Sequence, residues 1–111
     1  MKALKFTLLF LFLTSALFAQ TDIAVARTQP VGSTVSIKGI VLNGSELGLI
    51  KYIQDETGGI AAYSSALTGV KRGDSIAVTG VLKQFNNLLE IDPVNSHTVI
   101  SSNNPLPAPK V

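Results

Sequence analysis

The residues with chemistry to offer fall into two sets. Asp55, Glu56, Asp74, Glu90 and Asp92 carry carboxylates, with His97 the single histidine, and Tyr52, Tyr63 and Phe85 carry rings. Paired carboxylates do acid–base work, and with histidine or cysteine they hold metals. Neither use fits this spacing. Asp55 and Asp74 sit beside Gly58-Gly59 and Gly73, in turns where an aspartate hydrogen-bonds its own backbone. Glu90 falls on an outward strand position between Leu89 and Ile91. With no cysteine and no second histidine, a zinc set is not expected. No nucleophile elbow, Ser-His-Asp spacing or phosphate loop is present. What remains is stacking of rings on a flat partner, a base or a sugar. The expectation is a non-catalytic chain with no cofactor and no metal.

The elements that must position those rings are strands. Tyr52-Ile53-Gln54-Asp55-Glu56-Thr57-Gly58-Gly59-Ile60-Ala61-Ala62-Tyr63 reads as a hairpin, with β-branched, aromatic or small residues flanking a glycine turn. Before it, Thr34 to Leu42 alternates Val35, Ile37 and Gly39 against Ser36, Lys38 and Ile40. After it, Ser75 to Lys83 alternates Ile76, Val78, Gly80 and Leu82 against Ala77, Thr79 and Val81. Gly39 and Gly80 inside strands mark a bend, a bulge or close approach of another backbone. The second strand is expected over Leu49 to Gln54 and the third over Gly59 to Tyr63. Gln84 to Asn87 is expected as a hairpin loop, and Leu88 to Ile91 as the fifth strand, limited by Pro93. His97 to Ser101 is a candidate edge strand. Asp22 to Gln29 is open between a short helix capped by Asp22 and an edge strand. Asn43-Gly44-Ser45 fits a glycosylation acceptor, but the Asn-Gly pair already has a reason as a turn. Five or six short strands with regular turns imply a sandwich or a barrel, and the central glycines favour a closed barrel.

Charge and composition divide the chain. Lys2 and Lys5 precede a nearly unbroken apolar run from Phe6 to Leu13, followed by small residues up to Ala19. That is the layout of a secretory signal peptide, cut after Ala19 or alternatively after Ala16. The apolar core is short for a hydrocarbon layer of roughly 30 Å, so export is favoured over a retained anchor. The chain is then secreted or periplasmic. Residues 20–111 hold seven cations and seven anions, so the whole chain's net charge of +2 belongs to Lys2 and Lys5. A neutral domain lacks the overall positive field that drives non-specific nucleic-acid affinity. Four of the five phenylalanines also lie in the leader, so the core must be Val, Ile, Leu and Ala. The expected organisation is a signal peptide over 1–19, a lead-in over 20–33, the barrel over 34–102 and a proline-rich tail or linker over 103–111.

Together, Ile37-Lys38-Gly39-Ile40-Val41, the stretch Tyr52 to Ile60, Lys71 to Gly80, and Asn86 to Ile91 resemble OB-fold modules of the tRNA-anticodon-binding type. They are closer still to the OB-like domains of secreted bacterial proteins that often also carry an extracellular nuclease domain. The resemblance implies a five-stranded Greek-key barrel, all-β, preceded here by a signal-peptide helix. It also implies a binding surface on strands two and three, flanked by the loops after strands one and four. On this chain that surface is Lys51 to Gln54 and Ala61 to Tyr63, with the loops Asn43 to Gly48 and Gln84 to Asn87; the residues singled out on it are Lys51, Tyr52, Gln54, Tyr63, Phe85, Asn86 and Asn87. Single-stranded nucleic acid is the ligand so implied, with stacking on Tyr52 and Tyr63 and polar contacts from Gln54, Asn86 and Asn87. The bland readings stand beside it. Either tyrosine could fill the barrel, and the Phe85 ring is expected to fold back onto it. Cations near the face are sparse, Lys51 with Lys83 beside it, which tells against phosphate tracking; the zero net charge and the proline tail favour the alternative of a spacer or protein-interaction module, with a polysaccharide binder as a third. The chain could be the first module of a longer product.

Overall fold

The computed structural model describes residues 19–109. The expected leader and its helix lie outside the described residues, apart from Ala19. Five strands close into one barrel: β1 (Thr34–Val41), β2 (Ile50–Gln54), β3 (Gly59–Tyr63), β4 (Ser75–Phe85) and β5 (Leu88–Ser101). Their order around the wall is β1-β2-β3-β5-β4, with β4 returning to β1. All neighbours are antiparallel except β3 and β5. This is the Greek-key connectivity of an all-β OB-type barrel.

Period-two alternation builds the interior. Val35, Ile37 and Gly39 lie opposite Gly80, Val78 and Ile76, so one face of β1 and one of β4 meet inside. Val41, Ile53, Leu82 and Ile91 complete a fully buried aliphatic core without an aromatic ring. The two central glycines mark close approaches. A Cβ on Gly39 would stand 2.6 Å from the Gln54 carbonyl oxygen, where β1 crosses onto β2. A Cβ on Gly80 would collide with the Ile91 side chain and the Pro93 carbonyl oxygen.

Strand β5 departs from expectation. Pro93 does not end it, and His97 to Ser101 is its continuation rather than a separate edge strand. The register runs Leu82↔Ile91 and then Gly80↔Val94, so Val81 alone faces both Asp92 and Pro93. Proline lacks the N–H that a regular ladder needs, and a bulge is where its absence is tolerated. Three such shifts account for the fourteen residues of β5 against eleven in β4.

Both ends of the barrel are plugged. At the end carrying the β2–β3 turn, helix α1 (Ile23–Ala26) inserts Ile23 and Ala26, both fully buried. Asp22 makes no capping bond to this helix. The cap comes from 32 residues away: Asp55 Oδ2 accepts from the Ile23 N–H at 2.9 Å. Thr57 Oγ1 accepts from the Ala24 N–H at 3.0 Å, and Arg27 donates to the Gly59 carbonyl at 3.1 Å. At the other end, Leu67, in a 3-10 turn spanning Ser65–Leu67, and Val70 complete the core. The tail is tied down as well. Asn104 donates twice to the Gly73 carbonyl, and Gln54 Nε2 donates to Ala108 O at 2.6 Å.

Candidate ligand-binding groove

A groove of about 370 Å³ opens on the outer face of the β2-β3-β5-β4 wall. The register explains its make-up. Ile50 pairs with Tyr63, Glu90 pairs with Lys83 across β4, and Phe85 pairs with Leu88. Each of these side chains points away from the core, because its strand neighbours point in. Leu47, from the β1–β2 loop, joins Ile50 and Leu88 in the apolar part of the lining. The two rings of the groove are Tyr63, 44% exposed, and Phe85, 55% exposed.

Three charged residues complete the lining: Lys83, Glu90 and Asp92. Lys83 Nζ lies 3.3 Å from Asp92 Oδ2 and leaves Glu90 alone. Glu90 is only 4% exposed, yet its carboxylate takes no hydrogen bond from any described residue. Burial pushes its pKa above the usual glutamate range, the Asp92 charge adds to that, and Lys83 draws part of it back. The lining is therefore ring-bearing, mostly apolar and, with one cation against two anions, negative on balance. It contains no serine, threonine or histidine to act as a nucleophile or second base. Among the described residues, no group of histidine, cysteine, aspartate and glutamate could hold a metal ion.

The sequence-derived site residues scatter around this groove. Tyr63 and Phe85 meet in it. The Phe85 ring stands free instead of folding back, because Phe85 is the last residue of β4 and its side chain faces outward there. Tyr52 also faces outward, opposite Ala61, but is half-buried and outside the lining. Lys51 belongs to the interior. It has the same strand parity as Ile53, is 1% exposed, and its Nζ finds no partner. Gln54 is engaged by the tail, beneath a separate cleft of about 540 Å³ that Pro107 and Ala108 help to line. Asn86 and Asn87 are the two central residues of a tight hairpin turn, with φ of 51° and 65°. That backbone favours asparagine, so the turn explains them without a ligand. The Asn43 amide also has a structural role: it donates to Ile50 O and accepts from the Tyr52 N–H, tying the β1–β2 loop to β2.

Sequence reasoning placed Leu47 in a flanking loop and Lys83 near the face, but did not single out Glu90, Asp92, Ile50 or Leu88 as groove residues. The signal was available. Placing the hairpin turn at Asn86-Asn87 puts Leu88, Glu90 and Asp92 on the face of Phe85 and Lys83.

No family model matches the chain. Part of Endonuclease YhcR of Bacillus subtilis (strain 168) is 40% identical over 101 residues. That alignment takes in 82% of this chain but only 8% of the endonuclease. Among solved structures, the hypothetical protein YgiW from E. coli superposes with a TM-score of 0.61 at 17% identity, over 78% of this chain and 100% of that one. The fold is an OB-type barrel. The chain resembles a small region of a much larger nuclease. No helix among the described residues is long and apolar enough to cross a membrane.

Proposed function

We propose that this chain is an exported, non-catalytic module of a nuclease-like multidomain protein. In this reading it holds single-stranded nucleic acid by its bases, in the manner of tRNA-anticodon-binding-like OB modules. The observation that carries the reading is the pair of exposed rings, Tyr63 and Phe85, lining one groove on the outer barrel face. The similarity to a region of an endonuclease supports it. Bases stack on such rings without regard to sequence, at about 1–3 kcal/mol each.

The groove charge sets the mode of binding. One lysine against two carboxylates gives phosphates little to hold, so affinity rests on stacking. The salt dependence is then shallow, with a log–log slope no steeper than about −1, as roughly one single-strand phosphate contact gives. Titration with labelled oligonucleotides at low salt tests the proposal. Expected is binding that each of Tyr63→Ala and Phe85→Ala weakens about tenfold. Failure of any oligonucleotide to bind at about 50 μM, a free energy near −6 kcal/mol, would overturn it.

A further inference from the structure

We infer that Glu90 is the base-reading residue of this groove and that it selects guanine. The inference rests on the proposed nucleic-acid reading and adds to it a residue and a preference.

Glu90 is more than nine-tenths buried, faces outward from β5 and lines the groove, yet accepts no hydrogen bond from the described residues. The one cation of the lining turns to Asp92 instead. The side chain is packed along its length, and its carboxylate oxygens reach water only at the groove, where no described residue donates to them. They are therefore open to a ligand that supplies N–H donors. Phosphate supplies none and is repelled by Glu90 and Asp92 together, so it is a base edge and not the backbone that faces this wall.

The geometry of a carboxylate decides among the bases. Its two oxygens accept two parallel hydrogen bonds. Guanine presents N1–H and N2–H side by side on its Watson–Crick edge. Cytosine and adenine each present one amino group beside a ring-nitrogen acceptor. Thymine and uracil present one N–H between two carbonyl oxygens, which oppose a carboxylate. Single strands leave that edge free to be read, whereas a duplex covers it. With the guanine ring stacked on Tyr63 or Phe85, its donor edge lies in the plane of the stack and can turn to the groove wall.

The test uses four labelled oligothymidylates of equal length, alike except for one central guanosine, adenosine, cytidine or thymidine. They are titrated against the full chain and its Glu90→Gln variant. A bidentate pair discriminates by about tenfold or more, so the guanine oligomer is expected to bind about tenfold tighter than the all-thymidine one. Glu90→Gln is expected to bring that ratio near one, while Phe85→Ala weakens all four alike. The ranking on the unmodified chain is decisive even where a variant fails to fold. Binding without base preference, or a preference that survives Glu90→Gln, overturns the inference and leaves the proposed function standing. No binding of any oligomer removes the proposed function and the inference with it. Glu90-dependent binding of a lysine-rich peptide in place of every oligomer likewise overturns both.

Discussion

Asp55 and Glu90 are carboxylates on the same barrel, and their surroundings are opposite. Asp55 accepts from the Ile23 N–H, from the Thr57 N–H and hydroxyl, and from the Gly58 N–H. Burial pulls its pKa up, but those bonds outweigh burial and hold the carboxyl below the usual aspartate range. Glu90 is buried without such partners, and its pKa moves the other way. The saturated carboxylate closes one end of the barrel. The unsaturated one lines a groove between two rings. In a domain this small, the hydrogen bonds a carboxylate lacks point to function more directly than its position in the sequence.

The largest expected effect breaks the saturated side of that contrast. Asp55→Ala removes four acceptor contacts and the helix cap, and should cost about 2–4 kcal/mol. Thermal unfolding would show this as a fall of about 10–20 °C. A shift under about 3 °C would mean that the turn is held by something other than Asp55.

Lys51, unlike Glu90, has its polar atom wholly buried and unpartnered, with no groove to serve. Lys51→Met should raise stability by about 1–2 kcal/mol, because the stem packs as before and the unpaired amine is gone. Oligonucleotide affinity should not change. Loss of binding would place Lys51 in the ligand site after all.

The pH dependence gives a smaller effect with a definite sign. Glu90 binds its proton more tightly folded than unfolded. The folded chain therefore loses stability as pH rises from the ordinary glutamate range through the raised value. Glu90→Gln removes that loss, so its Tm advantage over the unmodified chain should grow from about pH 4 to about pH 7. Asp55 acts oppositely, stabilising fully above the ordinary aspartate range and failing as pH falls through its depressed value. A constant Tm difference across the range would remove the contrast between the two groups. The smallest effect belongs to the hairpin tip. Replacing Asn86 and Asn87 by glycine keeps the positive φ accessible and should alter stability by less than about 0.5 kcal/mol, with binding unchanged.

Most of the barrel was legible because β1 and β4 alternate cleanly and carry their glycines where strands approach closely. The site was harder to read, for three physical reasons. Lys51 obeys the parity of β2 but violates the rule that lysine faces water, so residue type and strand parity point opposite ways. Gln54 is claimed by Ala108, 54 residues on, which no local pattern announces. Pro93 hid the length of β5, because a bulge absorbs a proline that a regular ladder would reject. The helix cap failed in the same way: Asp22 sat at the expected position, and a more distant aspartate took the role.

That long-range cap couples the local opening of two distant parts of the chain. The amide protons of Ile23 and Ala24 are held by Asp55 and Thr57, both in the β2–β3 turn. In hydrogen–deuterium exchange these first two helical amides should report the opening of the turn, not the fraying of a four-residue helix.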